Sequence, residues 1–443
     1  MLRGKRMLLA LLGTAIAALL SGCFVKTVDE LYTLPRHSDD YNRLEYAIEQ
    51  VLSSENASYA APVSGANQQS VQLADLDGDG MEEAIAFLKT TGDKPLKAYI
   101  FSRADGDYRL MDVIAGDGTS FASVEYASLT GRNGTELVIG RQLSSDVPQS
   151  LAAYAYTDGR TEELMSANYS EYRLADLDGD GKKDVFILRF ETEQPHGSAE
   201  LYRWRNDRME REAEAGLTVG ASPVKRILTG DLAEGIPAVF VASIYAENSL
   251  VTDVFTFQDG VFRNLVQGMA NAVPAVGSYH VYAADIDGDG LIELPQILPL
   301  PAEEEAEEND AAISWYNLDL QGRTTPKLTT YHSFSGGWFL TLPDKWQNQF
   351  CISRSEETAG ARSYVFSQWK DGCRADLIFT IYAFTGDGRN EAASSDGRFI
   401  LAEKGETTYA AQLGTGKWAA SLSEDSMKGM FHFIHIDWNS GET

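Results

Sequence analysis

Short runs in which apolar and polar residues alternate make up most of the chain, and many of them end at a tight turn. Residues 98–101 lead to Asp105-Gly106, and residues 153–156 lead to Asp158-Gly159. Alternation with a period of two, followed by an Asp-Gly pair, predicts β-hairpins. One stretch differs, because residues 39–54 place their apolar side chains at helical intervals. That spacing predicts a short amphipathic helix in a protein that is otherwise mainly β.

A repeat organises the hairpins into five units, which start at residues 75, 128, 176, 231 and 285. Each unit contains a loop, an apolar strand, an aromatic strand, a turn and a return strand. The first, third and fifth loops are rich in aspartate, and the other two are degenerate. Units of about 50 residues with three or four strands are typical of β-propeller blades. We therefore predict a β-propeller over residues 60–333, with about five recognisable repeats and room for six or seven blades. A solenoid is the alternative, although leucine-rich spacing is absent.

The three aspartate-rich loops share one spacing, with acids at positions 1, 3, 5 and 9 and glycine at position 6. Hard oxygens that converge on one point, with a glycine that allows a sharp turn, are how proteins hold Ca²⁺. An EF-hand would need a glutamate at position 12 and flanking helices, whereas strand-like residues follow these loops. The spacing therefore indicates a cation loop flanked by strands. A set of acidic surface turns is the alternative.

These loops and their repeat resemble the FG-GAP/VCBS family of propeller repeats, known from the integrin α-subunit head. The resemblance covers residues 60–330 and is strongest at the three acidic loops. It implies about three structural Ca²⁺ sites, each with four carboxylates and one backbone carbonyl as ligands. The implied ligands are Asp75, Asp77, Asp79, Met81 and Glu83; Asp176, Asp178, Asp180, Lys182 and Asp184; and Asp285, Asp287, Asp289, Leu291 and Glu293.

The first residues predict an export signal. A basic start precedes an apolar run from Met7 to Leu20, which is too short for a comfortable membrane span. The sequence Leu20-Ser-Gly-Cys23 resembles the bacterial lipobox, which implies a lipid on Cys23 and an extracytoplasmic location on a bacterial membrane. An ordinary cleaved signal is the alternative. The predicted segments are a signal peptide at 1–22, a lipidated tether at 23–38, and an N-terminal helix with its lead-in at 39–59.

The repeat stops after residue 333, and alternating strands with a different spacing follow. Residues 334–443 therefore predict a small C-terminal domain of β or α/β type. The chain has three cysteines. With Cys23 lipidated, Cys351 and Cys373 are the remaining pair in an exported protein. They either form a disulfide or stay as free thiols.

The charge of the chain and the absence of certain motifs restrict its possible functions. The chain has 65 acidic and 37 basic residues, a net charge of −28. Such a surface repels phosphate backbones, which argues against nucleic-acid binding and leaves the lipid anchor as the contact with a membrane. The sequence contains no Gly-x-Ser-x-Gly and no His-Glu-x-x-His motif.

Two functions are consistent with these sequence features. The first is a non-enzymatic, calcium-binding module on the cell surface that recognises a protein or a glycan. The second is a secreted polysaccharide hydrolase or lyase that uses the propeller as its frame. The missing catalytic motifs favour the first, by analogy at the level of the fold.

Overall fold

The structure is a computed structural model. It describes residues 39–435 apart from 145–148, 191–195, 221, 247, 270–271, 303–310, 347–348 and 358–359. The predicted signal peptide, Cys23 and the tether lie outside the described residues. Within the described part, no helix combines the length and apolar character that crossing a membrane requires.

The chain divides into two compact units. The first contains the residues up to Ala61, Gln69–Ala74 and Gly80–Asp117. The second contains Pro62–Gln68, Asp75–Asp79 and the residues from Gly118 onward. The split passes through the first acidic loop.

The first unit combines one helix with one antiparallel sheet. Helix α1 (Asp39–Glu55) is the predicted amphipathic helix, and Leu44, Ile48 and Val51 on its apolar face are buried. Sheet 1 has five strands: β1 (Ser58–Tyr59), β2 (Val71–Ala74), β3 (Glu83–Lys89), β4 (Leu96–Ala104) and β5 (Asp107–Gly116). They run in the order β1-β3-β4-β5, and β2 also pairs with β3. The helix packs on buried residues of β3 and β4, among them Tyr99 and Phe101.

Three sheets of the second unit are antiparallel meanders. Sheet 2 contains β6 (Ser120–Ala127), β7 (Glu136–Gln142), β8 (Gln149–Thr157) and β9 (Arg160–Tyr169). Sheet 3 contains β10 (Glu171–Ala175), β11 (Asp184–Arg189), β12 (Ser198–Arg205) and β13 (Arg208–Gly216). Sheet 4 contains β14 (Val224–Leu232), β15 (Ile236–Tyr245), β16 (Ser249–Gln258), β17 (Val261–Asn264) and β18 (Val273–Pro274), with a single-turn 3-10 helix at Ala233–Gly235. Strands in these sheets mostly pair with their neighbours in sequence, so the three strands that follow each repeat loop lie in one sheet.

Two further sheets complete the described chain. Sheet 5 begins with β19 (Leu294–Pro299), β20 (Ala311–Leu318), β21 (Thr324–Ser333) and β22 (Trp338–Leu342). Sheet 6 contains β23 (Phe350–Glu357), β24 (Ala361–Lys370), β25 (Cys373–Thr385), β26 (Phe399–Lys404) and β27 (Thr407–Leu413). Short helices α2 (Arg389–Ala393) and α3 (Glu424–Met430) and a 3-10 turn at Ala419–Ser421 accompany it. The last strand, β28 (Phe431–Phe433), returns to pair with β22 of sheet 5.

The core of the second unit lies between successive sheets. One apolar cluster joins sheets 2 and 3 through residues such as Val138 and Val185. Another joins sheets 3 and 4 through Phe186 and Phe255, whose rings lie 5.3 Å apart. Sheets 5 and 6 share a large aromatic cluster built around Trp338. Because each strand alternates its side chains between two faces, both faces of a meander can be buried against its neighbours.

The prediction of a mainly β fold of propeller type is confirmed. The five repeat loops belong to sheets 1 to 5. In sheets 1 to 4 the loop connects two strands that pair with each other, whereas in sheet 5 it precedes β19 and is closed by the bridge between Ala284 and Glu293. The predicted domain boundary after residue 333 does not match the division between sheets 5 and 6. Its first and last strands, β22 and β28, belong to sheet 5, so only β23–β27 form a sheet of their own.

In the described part of the chain, no disulfide joins Cys351 to Cys373. Cys351 is buried in β23, whereas Cys373 is exposed at the start of β25 and donates to the carbonyl of Lys370 at 3.3 Å. Strand β24 lies between the two strands. Two strand spacings amount to about 9.6 Å, which exceeds the roughly 7 Å limit between the Cα atoms of a disulfide.

Candidate metal centre

The acidic loops of sheets 3 and 5 are tight connections between paired residues. In sheet 3, Ala175 ends β10 and pairs with Asp184 at the start of β11. In sheet 5, Ala284 forms a bridge with Glu293, and their backbones exchange two hydrogen bonds of 3.1 and 3.0 Å. Each loop therefore begins and ends at a fixed point, which brings its first and ninth residues together.

The first aspartate of each loop organises the backbone. The carboxylate of Asp285 accepts hydrogen bonds from the amides of Gly288 at 2.7 Å, Asp289 at 3.1 Å and Gly290 at 2.9 Å. Asp176 makes the same three contacts in sheet 3, at 2.8, 3.1 and 2.9 Å. Gly290 has a φ of +88°, a conformation that disfavours a side chain, which explains the glycine at position 6. The equal spacing in the sequence thus produces equal loop geometry.

This geometry brings carboxylates together. Asp176, Asp178 and Asp180 each place one oxygen within 4.8 Å of the others, and so do Asp285, Asp287 and Asp289. Oxygen-rich clusters of this kind could bind a metal ion. The amides of Lys182 and Leu291 donate to Asp180 and Asp289 at 2.9 Å in their loops. The carbonyl ligands implied at these two residues stay a prediction.

The acid at position 9 fastens the start of its own loop. One oxygen of Asp184 accepts from the amide of Leu177 at 3.1 Å, and one oxygen of Glu293 accepts from that of Ile286 at 3.2 Å. The degenerate loop of sheet 2 keeps this contact, since Glu136 accepts from the amide of Leu129 at 2.7 Å. One oxygen of the ninth acid therefore has a structural role that does not need a metal.

The second oxygen of the ninth acid distinguishes the loops. In sheet 2, Oε1 of Glu136 accepts from the hydroxyl of Thr130 at 2.5 Å. In sheet 3, Oδ1 of Asp184 accepts from Nε of Arg203 at 3.1 Å. In sheet 5, Oε1 of Glu293 has no hydrogen-bond partner among the described residues, and the residue is 0% exposed. A buried carboxylate oxygen without a partner is costly, which marks it as a candidate ligand atom.

Burial, more than any other cause, raises the pKa of Glu293 from 4.5 to about 7. The negative charges of Asp287 and Asp289 raise this pKa further, whereas the amide of Ile286 and the ammonium of Lys327 lower it. A divalent cation beside Glu293 would reverse the repulsion and favour the ionised form.

Two basic side chains that the sequence motif does not contain reach these clusters. Arg203 on β12 bonds Asp178 and Asp184, and its side chain is 6% exposed. Lys327 on β21 bonds Asp287 at 3.0 Å and also Asp289, and its side chain is 26% exposed. Both residues lie on strands well beyond the loops in sequence, so the acidic motif itself does not indicate them.

The first acidic loop is divided between the two units. In the second unit, the amide of Gly78 donates to Asp75 at 2.7 Å and that of Asp79 donates to Asp77 at 3.2 Å. In the first unit, Met81 is exposed. Glu83, in the same unit, is buried and accepts from the hydroxyl of Ser102 at 3.2 Å. The contact of Gly78 with Asp75 matches those of Gly179 and Gly288 in the other two loops.

Comparisons with known proteins add little to this geometry. No family model matches the chain, and no curated protein matches it. Among solved structures, the exotype rhamnogalacturonan lyase YesX is similar over 81% of this chain and 72% of its own, with 12% identity and a TM-score of 0.31. A protein from Lactobacillus plantarum is similar over 71% of this chain and 85% of its own, with 10% identity and a TM-score of 0.33. The fold assignment therefore rests on the sheets of the chain itself.

Proposed function

We propose that the protein is a lipid-anchored, calcium-binding propeller of FG-GAP/VCBS type that acts outside the cytoplasm as a non-enzymatic interaction module. The observation that carries the calcium proposal is the fully buried Oε1 of Glu293, which has no hydrogen-bond partner among the described residues and feels the charges of Asp287 and Asp289 in the same loop. Ca²⁺ suits this donor set because it takes six to eight oxygen ligands in a flexible geometry. Mg²⁺ suits it less, since it demands a small octahedral shell and retains its waters.

Thermal unfolding of the full chain in calcium and in chelator tests the metal. At about 100 times its dissociation constant, one Ca²⁺ adds about 2.7 kcal/mol to the free energy of unfolding. We expect Asp287→Asn to lose most of the calcium-dependent rise in melting temperature. Asp371→Asn is the matched control, because it removes the same charge from an exposed turn outside the loops. An equal melting temperature of the wild type in calcium and in chelator would contradict the proposal.

The interaction role is supported by side chains on the first unit. Tyr41 is 48% exposed on α1, and Tyr59 is 49% exposed on β1. Partial burial raises the pKa of Tyr59, and the nearby charges of Glu45 and Glu49 raise it further, together with Tyr41. Exposed aromatic side chains are enriched at interfaces, because they bury large areas on binding.

The partner is proposed to be a surface protein or a glycan. The test is a binding screen against immobilised glycans and surface proteins, carried out with the wild type and with the double variant Tyr41→Ala/Tyr59→Ala. We expect a partner to be retained by the wild type and lost by the variant. Turnover of a polysaccharide that disappears on replacing one carboxylate outside the acidic loops would instead establish the hydrolase or lyase function.

The anchor is tested separately through Cys23. When the full chain is expressed in a bacterium, we expect the wild type in the membrane fraction and Cys23→Ser in the soluble fraction. Cys373→Ser serves as the control, because it removes an exposed thiol elsewhere in the chain. Membrane retention of Cys23→Ser would count against lipidation.

A further inference from the structure

The loops of sheets 3 and 5 have the same aspartate spacing but different cationic neighbours. In sheet 3 the pairing of Val185 with Tyr202 brings the next residue on β12, Arg203, across from Asp184. In sheet 5 the pairing of Leu294 with Tyr316 brings Asn317 across from Glu293. The residue opposite the ninth acid is thus charged in one loop and neutral in the other.

Arg203 is held from several sides. Its guanidinium donates through Nε to Asp184 at 3.1 Å, through Nη1 to Glu212 at 3.3 Å, and through Nη2 to Asp178. The ring of Phe257 covers it, with its centroid 4.4 Å from Cζ. A guanidinium is planar and carries several N–H donors, so it can bond several carboxylates at once. Its weak hydration lowers the cost of burying it.

A metal ion in the Asp176 loop would have to displace this guanidinium. Asp178 and Asp184 are two of the four carboxylates that the calcium pattern needs, and both are bonded to Arg203. Removing them would leave the 6%-exposed Arg203 side chain with only part of its buried counter-charge. Loss of one partner from a buried ion pair is strongly unfavourable, so the ion pairs oppose metal binding.

The Asp285 loop has no such obstacle. Its neighbouring cation is the Lys327 ammonium, whose side chain is 26% exposed and carried on a flexible stem that can turn to solvent. On the strand position across from Glu293, Oδ1 of Asn317 is also buried and has no partner in the part of the chain that the structure describes. Once Lys327 turns to solvent, the three aspartates and the buried Oε1 of Glu293 remain in this loop for an ion.

We propose that the Arg203 guanidinium is the resident cation of the Asp176 loop, and that exchangeable Ca²⁺ binds at the Asp285 loop instead. Only the second part of this inference, calcium binding at the Asp285 loop, rests on the proposed function. Arg203 thus takes the place of a metal ion within the fold, and the two loops differ in function despite their common motif.

Calcium equivalents bound by the full chain, measured by titration calorimetry, test the inference. We expect Asp287→Asn to lose one equivalent, and Asp178→Asn to keep the wild-type number with an affinity changed less than about twofold, since its carboxylate already pairs with Arg203. Arg203→Ser should gain one equivalent; serine is the residue that lies across from Glu83 in sheet 1. Loss of an equivalent in Asp178→Asn, or no gain in a folded Arg203→Ser, would overturn the inference.

Melting temperatures in chelator separate this inference from the proposed function and do not require Arg203→Ser to fold. Without calcium, Asp178→Asn should melt at a lower temperature than the wild type, because the ion pair with Arg203 is lost. Asp287→Asn should lower the melting temperature less than Asp178→Asn does, because its partner Lys327 is 26% exposed and can turn to solvent, and because the change relieves repulsion among the aspartates. An Asp178→Asn protein that melts like the wild type overturns the inference. If the wild type binds no calcium, the proposed calcium binding is wrong. The comparison of melting temperatures in chelator then still tests the role of Arg203.

Discussion

Replacing Glu293 by glutamine should change stability in opposite directions with and without calcium. In chelator the wild type carries a fully buried carboxyl whose pKa is raised from 4.5 to about 7, chiefly by burial. Unfolding therefore releases a proton between these two pH values, and the contribution of Glu293 to stability falls as the pH rises through this window. The glutamine variant lacks this penalty because its side chain does not ionise.

The size of the effect follows from the pKa. The difference between 4.5 and about 7 corresponds to roughly 3 kcal/mol at pH 8, at about 1.4 kcal/mol for each unit of pKa. The amide still leaves one buried polar group without a partner, which costs about 1 kcal/mol or more. We therefore expect Glu293→Gln to be about 1 to 2 kcal/mol more stable than the wild type in chelator at pH 8. At pH 5 the two proteins should be nearly equal.

Saturating calcium should reverse the order. The wild type then gains about 2.7 kcal/mol at 100 times the dissociation constant, and the variant, which lacks one ligand charge, does not. Urea unfolding at pH 8 in chelator and in calcium, and at pH 5 in chelator, measures all three differences. Glu136→Gln is the control, because both oxygens of Glu136 have partners and its loss should destabilise under every condition. A Glu293→Gln protein that is less stable than the wild type in chelator at pH 8 would refute the reasoning.

Two further predictions concern residues outside the proposed calcium site. Burial lowers the pKa of His332 from 6.5 to about 3, so the unfolded chain takes up a proton below pH 6.5 that the folded chain does not. The wild type should lose about 1 kcal/mol more than His332→Phe between pH 6.5 and 5.5, and parallel stability curves would contradict this. Gly134 has a φ of +85°, and a Cβ there would lie 2.3 Å from the carbonyl oxygen of Leu76. Gly134→Ala should cost about 2 kcal/mol more than Gly260→Ala, which has a φ of +76° but open space; equal midpoints in urea would show that the close approach is relieved.

Much of the fold could be predicted because its signals are local. The helical spacing of residues 39–54 predicts the helix found at Asp39–Glu55 to within a residue. The hairpin turns were also visible, since Asp105, Asp158 and Asp259 have positive φ values and each precedes a glycine. A turn of this type selects its own residues, so a short stretch of sequence determines it.

The C-terminal boundary could not be predicted in the same way. The sequence change after residue 333 is real, but β22 pairs with β21 on one side and with β28 on the other. The pairing of Trp338 with Phe433 joins residues far apart in the chain, and no local pattern specifies such a partner. The separation of Cys351 from Cys373 by β24 could not be predicted locally either, because it follows from the order of strands in sheet 6.

The chemistry of the acidic loops depends on the residue that lies across the sheet from the ninth acid. Ser102 follows Glu83 by 19 residues, and Arg203 follows Asp184 by 19 residues. The same offset from Glu293 would select Ala312, but the longer connection in sheet 5 brings Asn317 opposite instead. A rule based on sequence distance therefore finds the guanidinium of sheet 3 and misses the neutral amide of sheet 5. Strand register, rather than the acidic motif, decides which loop has a built-in cation and which one has buried oxygens left for an ion.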